Sequence, residues 1–319
     1  MIALNKLIFP KVKFGNNVVI NCESAIIKDG TTIEDNVTIE AKNIKIGFDT
    51  TIESNTKIKA LSDTMSDFII GDNCLIGFDN QILVPSFAMN DFSQLHNSCL
   101  CSGYKELIIG YNCWIGQGAI LNSFERLTLG NNVRMGGSQI WTHVASGELL
   151  EGSNFYGSKP VILEDNVWLM GFGHLITPGV ILARNSVVMA GSVVSKSTEP
   201  YKTYSGIPAK DISDKLPAWK KLSLADKGEM IKQFISEFIL QYPRFKANIV
   251  YMEELLNPEK IDSKLSVIIC NKIDLETFRN LHYSIFDLST KKYLKQRSEV
   301  EIAWLKFVIG FRARFIPYN

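Results

Sequence analysis

The chain has 319 residues, of which 46% are hydrophobic and 21% charged, and its formal net charge is +1 at pH 7. This hydrophobic content excludes a largely disordered chain, and the balanced charge argues against a nucleic-acid partner. No apolar run reaches the roughly 18 residues that a membrane span needs. The opening segment 1–15 lacks the long apolar core and cleavage site of a signal peptide, so we expect a cytoplasmic location.

Aliphatic residues recur at every sixth position through much of the first 200 residues. A helix repeats every 3.6 residues and a simple strand alternates every second residue, so neither explains this period. A period of six is typical of a parallel β-helix, in which each short strand points one aliphatic side chain into the core. The predicted inward positions are Ile27, Ile33, Ile39, Ile46, Ile52, Ile58, Ile70, Ile76, Ile82, Ile109, Ile115, Leu121, Leu129, Met135, Trp141, Leu163, Leu169, Leu175, Leu182, Val188 and Val194.

Six cysteines are present, and their spacing favours free thiols over a metal site or a redox pair. Cys74 and Cys113 both occupy the fifth place of a hexad, in IGDNCL and IGYNCW, where the coil needs a small residue. Cys99 and Cys101 form a C-x-C pair, which is neither the C-x-x-C redox motif nor a zinc pair. No metal is therefore expected.

The repeats are interrupted in two places, from Leu83 to Leu107 and from Thr142 to Pro160. Long insertions in a repeat protein usually lie outside the stack and often carry function. We predict a loop at each interruption, of which the second is rich in Gly, Ser and Glu.

Glycine usage divides the chain, since 20 of the 22 glycines lie at or before Gly206. We predict a β-helix domain over residues 1–210 and an accessory domain over residues 211–319. In the second domain, Ser223 to Asp226 resembles a helix start, and residues 248–252 and 265–270 have the β-branched composition of strands. A second helix is expected from Glu299 to about Ile309, which indicates a small α+β or mainly helical domain.

Basic and bulky apolar side chains alternate in residues 291–316. The simpler interpretation is that Trp304, Phe307, Phe311 and Phe315 form the core of this domain or pack on the β-helix. The alternative is docking on an anionic membrane surface.

The segment 160–210 resembles the last coils of the hexapeptide-repeat acyltransferases, in the sugar O-acetyltransferase and maltose/galactoside acetyltransferase branch. The matching motifs are Val167-Trp168-Leu169, Pro178-Gly179-Val180, Ala190-Gly191-Ser192-Val193-Val194-Ser195-Lys196 and Gly206-Ile207-Pro208-Ala209-Lys210. The resemblance implies a left-handed β-helix, a homotrimer, acetyl-CoA as cosubstrate and a sugar or polysaccharide acceptor, with O-acetylation of a hydroxyl by direct transfer.

Acetyl transfer to a hydroxyl requires a base, and neutral histidine serves near neutral pH. His143 stands where the family places its catalytic histidine, ahead of the coil that contains Trp168. Among the other three histidines, His96 could reach an acceptor or a neighbouring subunit, whereas His174 and His282 are interpreted as packing and structural residues.

The resemblance also assigns the remaining site residues. Trp168 either covers its coil or helps to build the catalytic site, and Asn122 and Trp141 are expected at the acceptor. Small residues suit the long pantetheine arm of coenzyme A, and two lysines match positions near its phosphates. The expected cofactor-binding residues are Gly171, Gly173, Ala190, Gly191, Lys196 and Lys210.

Three alternatives remain open at this point. The closest is N-acetylation of an amino sugar or nucleotide-amino sugar. A zinc carbonic anhydrase on the same fold would need three histidine ligands with two close in sequence, but His96, His143 and His174 are far apart. The third alternative is a non-catalytic β-helix scaffold.

Overall fold

The computed structural model describes residues 9–254 and 262–318. The chain divides into two compact units, Met1–Trp219 and Lys220–Asn319. Residues 1–8, where no signal peptide is expected, lie outside the described residues. The predicted boundary at residue 210 lies ahead of this division because the following segment packs on the first unit. There, Trp219 Nε1 donates a hydrogen bond to the Asn185 carbonyl at 2.5 Å.

The first unit is a parallel β-helix with three faces, in agreement with the predicted fold. Face A consists of Lys13–Phe14, Thr32–Ile33, Thr51–Ile52, Leu75–Ile76, Gln94–Leu95, Trp114–Ile115, Arg134–Met135, Trp168–Leu169, Val187–Val188 and Thr203–Ser205, with Lys210–Asp211 antiparallel at its edge. Face B consists of Val19–Asn21, Lys57–Lys59, Gln81–Leu83, Leu100–Gly103, Ile120–Ser123, Gln139–Ile140, Leu175–Ile176 and Val193–Val194. Face C consists of Ser24–Ile27, Met65–Ile70, Ser86–Met89, Leu107–Ile109, Leu127–Leu129, Val161–Leu163 and Ile181–Leu182. The long strand Thr38–Ile46 bends from face B into face C.

Each inward side chain lies directly on its equivalent in the next coil. Ile33 pairs with Ile52, and Ile52 with Ile76, and all three are fully buried. Burial of an aliphatic side chain contributes about 1.5–3 kcal/mol, so the column stabilises the stack along its whole length.

Asparagine and aspartate at the corners form a second column. Asn17, Asn36, Asn55 and Asp79 all have φ between 54° and 60°. This left-handed conformation is disfavoured for most side chains but tolerated by Asn and Asp. Each amide Nδ2 donates to the side-chain oxygen of the next coil at 3.1–3.2 Å.

Small hydrogen-bonding residues occupy another corner position, as the sequence predicts for Cys74 and Cys113. The Thr50 hydroxyl donates to the Gly71 carbonyl at 2.8 Å. The Cys74 thiol donates to the Asn90 carbonyl at 3.2 Å, and the Cys113 thiol to the Gly130 carbonyl at 3.1 Å. All six cysteines of the chain are free and buried, as expected.

The inward register differs from the hexad prediction at two positions. Ile140 and Ile176 are fully buried, whereas the predicted Trp141 and Leu175 are only half-buried. The corner before Ile140 is one residue shorter than a hexad and the corner before Ile176 is one residue longer. A sequence period cannot locate these changes, because each correct position has an apolar neighbour, Trp141 beside Ile140 and Leu175 beside Ile176.

The predicted loop between Leu83 and Leu107 is wrong, because this segment forms a regular coil. Its strands pair on all three faces with the coils before and after it. Met89, Leu95 and Cys101 point inward and are almost fully buried, which preserves the spacing of six. The pattern is difficult to recognise because methionine and cysteine replace aliphatic residues at two of these positions.

The second interruption does lie outside the stack. It forms an antiparallel hairpin from His143–Ala145 and Tyr156–Ser158, which pair with each other and with no other strand of the described chain. Its tip carries exposed apolar side chains, including Leu150 and Phe155. The hairpin leaves the β-helix after face B and returns to it at face C.

The second unit is an α+β domain. Its sheet contains Ile249–Met252, Val267–Cys270, Ser284–Asp287, Lys292–Tyr293 and Ile316–Pro317, of which the first three run parallel. Among the described residues of this unit, the α-helices are Leu224–Gln241 (α1) and Glu299–Val308 (α2), and the short 3₁₀ turns are Pro243–Phe245 and Glu276–Phe278.

Helix α1 begins at the predicted capping residues. The Ser223 hydroxyl accepts from the Asp226 N–H at 3.1 Å, and the Asp226 carboxylate accepts from the Ser223 N–H at 3.0 Å. Trp304 and Phe315 are buried in the core of the second unit, whereas Phe311 is 80% exposed. None of the helices in the described ranges is long and apolar enough to cross a membrane.

Replacing Leu95 with alanine is expected to lower the free energy of unfolding by about 2–5 kcal/mol, because it leaves a cavity in a packed coil. Leu150→Ala is the matched control, since its side chain is 88% exposed and the change should stay within about 0.5 kcal/mol. Chemical denaturation followed by circular dichroism measures both. Equal effects of the two substitutions would contradict the placement of Leu95 inside the β-helix.

Candidate functional site

His143 is the first residue of the hairpin strand, where the chain leaves face B. The half-buried side chain lies one coil beyond Asn122, which is the last residue but one of a strand of the same face and is 7% exposed. The His143 Nδ1 and Asn122 Oδ1 atoms are 2.9 Å apart. The structure therefore brings together two of the residues that the sequence analysis selected.

The surroundings of Asn122 fix which ring nitrogen of His143 carries the proton. The Thr142 backbone N–H donates to Asn122 Oδ1 at 3.3 Å, and Asn122 Nδ2 donates to the Ser102 carbonyl at 3.4 Å. A backbone N–H can only donate, so the amide atom facing it is the oxygen. An oxygen that faces Nδ1 requires a proton there, and the neutral imidazole then carries its free lone pair on Nε2.

Thr142 holds this arrangement in place from inside the coil. Its fully buried hydroxyl lies 3.1 Å from both the backbone carbonyl and the Oδ1 of Asn122. The same hydroxyl accepts from the Glu125 N–H at 2.9 Å. The tautomer of His143 is thus set by a buried network rather than by a mobile surface contact.

Aromatic rings surround the imidazole. Phe124 stacks on it at 4.7 Å between ring centroids, and Trp141 lies at 5.9 Å in an edge-on orientation. Tyr104 packs on the edge of Phe124 at 5.5 Å. Phe124 was missed by the sequence analysis, because its position beside His143 depends on the register between coils. Leu121 pairs with Ile140, so a step of 19 residues back from His143 reaches Phe124.

No group of the described residues hydrogen-bonds Nε2 of His143, so this atom remains an acceptor beside the aromatic rings. An imidazole held by a carbonyl-type oxygen on one nitrogen, with a lone pair on the other, is the arrangement required of a general base. The geometry can therefore remove a proton from a hydroxyl that reaches Nε2.

The predicted cofactor-binding glycines lie together at another corner. Gly171, Gly173 and Gly191 have φ of 81°, 80° and 70°. A Cβ added to Gly171 would lie 3.0 Å from the Cβ of Ala190, and one added to Gly173 would lie 3.9 Å from the Cα of Gly191. These four residues belong to two successive coils, at the turn that leads from face A to face B.

This corner has room beside the backbone, as a narrow amide-bearing arm would need. A Cβ added to Gly191 would meet no atom within 4 Å. Lys196 and Lys210 are exposed. The half-buried Trp168 precedes the corner on face A, where its ring contacts that of Trp219 at 5.9 Å. The residues fit a thioester cosubstrate with a phosphate-bearing end.

Most of the predicted site residues form two groups on the same chain, whereas Lys196 follows the face B strand Val193–Val194 and Lys210 lies on the edge strand of face A. His143, Asn122 and Trp141 lie where face B ends, whereas Trp168 and the glycine corner lie on and after face A. These are different corners of the triangular coil. The structure unites the members of each group but does not bring the two groups together within one copy.

No cysteine of the chain has the properties of an acyl-accepting nucleophile. Burial raises the pKa of the Cys113 thiol to about 12 and that of Cys99 to about 11. Burial likewise raises the pKa of Cys22, Cys74, Cys101 and Cys270. A thiol with a raised pKa supplies little of the reactive thiolate near neutral pH.

The other histidines lie elsewhere. His96 packs on Trp114 at 4.9 Å on face A, and burial lowers its pKa. His174 is 1% exposed, with Nδ1 lying 2.8 Å from the Ser138 hydroxyl, and His282 is exposed in the second unit. Within residues 9–254 and 262–318, no three His, Cys, Asp or Glu side chains form a group that could hold a metal ion.

Comparison with known proteins shows similarity to acetyltransferases over part of the chain, and no protein-family model matches. Galactoside O-acetyltransferase of Escherichia coli K12 is 30% identical over 109 residues, or 33% of this chain and 53% of that relative. The chain thus spans about half the length of this curated relative.

Two solved structures were compared as well. The polysialic acid O-acetyltransferase OatWY aligns with 66% of this chain and 92% of its own, at 20% identity and a TM-score of 0.29. AntD, an N-acyltransferase from Bacillus cereus solved with dTDP-4-amino-4,6-dideoxyglucose and coenzyme A, aligns with 71% of this chain and 92% of its own. Its identity is 16% and its TM-score 0.28.

Replacing Asn122 with aspartate is expected to shift the acid limb of the pH–rate profile upward by about one pH unit, because a carboxylate on Nδ1 favours the protonated imidazole. A protonated ring cannot act as base, so turnover at low pH falls while turnover at high pH is retained. Asn16→Asp, at an exposed corner, should leave the profile unchanged. A profile that Asn122→Asp does not move would show that this amide does not control the base.

Proposed function

We propose that this member of the hexapeptide-repeat acyltransferase superfamily is an acetyl-CoA-dependent O-acetyltransferase that acts on a sugar hydroxyl of a glycan. The observation that carries the proposal is the 2.9 Å contact between His143 Nδ1 and Asn122 Oδ1, which leaves Nε2 as a base. Similarity to a galactoside O-acetyltransferase over a third of the chain supports the choice of reaction and acceptor class.

In the proposed reaction, Nε2 of His143 takes the proton of the acceptor hydroxyl as its oxygen attacks the thioester carbonyl. The new C–O bond forms, and the carbonyl becomes a tetrahedral oxyanion that a backbone N–H can stabilise. When the C–S bond breaks, Nε2 returns the proton to the departing sulfur. Asn122 Oδ1 accepts a hydrogen bond from Nδ1–H throughout, so the ring keeps its orientation in both the neutral and the charged state.

Direct transfer is the route that the side chains support. A two-step route would need a nucleophile that holds the acetyl group, and burial raises the pKa of all six thiols. His143 needs only to move a proton, which its tautomer allows.

The glycine corner is the proposed place for the cosubstrate. Gly171, Gly173, Ala190 and Gly191 form an exposed stretch of small residues for the pantetheine arm, and Lys196 and Lys210 supply exposed positive charge for the phosphates. Trp168 is proposed to border the reacting end. Trp141 and Asn122, with Phe124, are proposed to form the acceptor side, because aromatic faces suit the apolar faces of sugar rings.

The separation of the two groups supports a homotrimer. Transfer requires the base and the thioester to lie within reach of the same hydroxyl, yet His143 and the glycine corner occupy different corners of one chain. A second copy that presents its glycine corner to His143 would complete the site. The homotrimer implied by the family resemblance meets this requirement.

His143→Ala is expected to lower kcat by at least about 100-fold, as for the loss of a positioned base, while coenzyme A still binds. His282→Ala, which removes an exposed histidine of the second unit, is the matched control and should retain full activity.

Thiol release from acetyl-CoA, with paired hydroxyl and amino sugars as acceptors, measures turnover and tests the N-acetylation alternative. Light scattering checks that each preparation is a trimer. Near-normal turnover of His143→Ala would refute the mechanism, and preference for the amino sugars would assign the reaction to N-acetylation.

Lys196→Ala is expected to raise the KM for acetyl-CoA about two- to fivefold, the range for an exposed ionic contact, with little change in kcat. A phosphate contact far from the thioester is the same in ground and transition states. Lys57→Ala removes an exposed lysine from an earlier coil and should have no effect. An unchanged KM for Lys196→Ala would show that this lysine does not contact the cosubstrate.

A further inference from the structure

Three large side chains occupy equivalent positions on successive strands of face A. Trp114 pairs with Arg134, and Arg134 with Trp168. The next residues along the chain, Ile115, Met135 and Leu169, point into the core. Because side chains alternate along a strand, Trp114, Arg134 and Trp168 point outward. Adjacent parallel strands are about 4.8 Å apart, which places the guanidinium-bearing residue between the two indole-bearing residues.

These residues line a cleft of about 340 Å³. Met170, Gly171 and Phe172 complete its far side, and the Phe172 side chain is 58% exposed. Arg134 is the one charged residue among those that line the cleft. The cleft therefore combines apolar walls with a single positive group.

Two of the glycines that line the cleft lie in close contact. A Cβ on Gly136 would lie 1.9 Å from the Gly171 carbonyl oxygen, so no side chain fits at this position. The aromatic surface continues beyond the cleft in both directions, since His96 contacts Trp114 at 4.9 Å and Trp219 contacts Trp168 at 5.9 Å. The strands from Gln94–Leu95 to Trp168–Leu169 extend over roughly 14 Å along the helix axis.

We propose that this column binds an acidic sugar unit of the acceptor glycan, with Arg134 paired to its anionic group and the rings of Trp114 and Trp168 against its sugar faces. The inference rests on the proposed acetyl transfer to a glycan and specifies the charge of that glycan. The arginine fork matches a carboxylate through two parallel hydrogen bonds. Indole rings present broad apolar faces with little loss of side-chain entropy.

The net charge of the chain indicates that an acidic glycan is selected by a local contact and not by long-range attraction. A protein with a net charge of +1 exerts little long-range attraction on a polyanion. Selection for an acidic glycan must then come from a placed cation, and Arg134 is the cation that the cleft supplies. Lys196 and Lys210 lie outside the cleft lining, and they are the proposed partners of the cosubstrate phosphates.

The test measures direct binding, so its result does not depend on acetyl transfer. Oligomers of galacturonic acid and of α-2,8-linked sialic acid are titrated against the full-length protein by calorimetry, each beside its methyl ester. The ester keeps the sugar rings and removes the charge. The wild-type protein is expected to bind at least one acid more tightly than its ester.

Arg134→Gln is expected to weaken binding of that acid at least about tenfold and to leave the ester unchanged, because a charge-assisted pair is lost. Arg134→Lys should retain part of the preference, since it keeps the charge without the fork. Trp114→Leu should weaken acid and ester alike, by about two- to tenfold. Arg184→Gln, at an exposed arginine outside the cleft lining, is the matched control.

Three results would overturn the inference. These are a wild-type protein that prefers no acid over its ester, equal losses of acid and ester in Arg134→Gln, and a raised KM for acetyl-CoA in that variant with glycan binding unchanged. If thiol release fails for every acceptor while the acid is still selected through Arg134, the proposed reaction fails and the binding site stands.

Discussion

The structure depends on the close stacking of its coils, each of which lies one strand spacing, about 4.8 Å, from the next. At this distance a backbone atom of one coil can occupy the space that a side chain of the neighbouring coil would need. Gly136 is an example, because the Gly171 carbonyl fills the position of its Cβ. The same spacing lets Asn36 bridge Asn17 and Asn55, so that the left-handed corners support one another.

Stacking also brings chemistry together from distant parts of the sequence. Asn122 and His143 are 21 residues apart, yet they become neighbours because one coil separates them. The buried Thr142 hydroxyl then ties the amide to the coil interior. The proposed base is thus oriented by the core of the β-helix, although its ring stands at the beginning of an external hairpin. Trp114, Arg134 and Trp168 come into line on face A for the same reason.

The sequence was sufficient for the β-helix and for most inward positions, because both depend on a repeat. It also selected His143 from a short motif, and the role of that residue stays a prediction. It failed at Trp141 and Leu175, where corners change length, and over residues 83–107, where Met89 and Cys101 replace aliphatic residues. The stacking of Phe124 on His143 could be predicted only from the register between coils. The separation of His143 from the glycine corner could be recognised only once the three faces of the coil were known, and a period of six does not specify them.

The hairpin of residues 143–158 has a consequence for how such proteins diversify. It is inserted between two strands without disturbing the stack, and its two strands pair only with each other among the described residues. The contacts that orient the imidazole come from Asn122 and Thr142, which lie in the β-helix and not in the insertion. The hairpin tip can therefore be lengthened, shortened or exchanged, and with it the surface beside the proposed base, without a change in the contacts that orient His143.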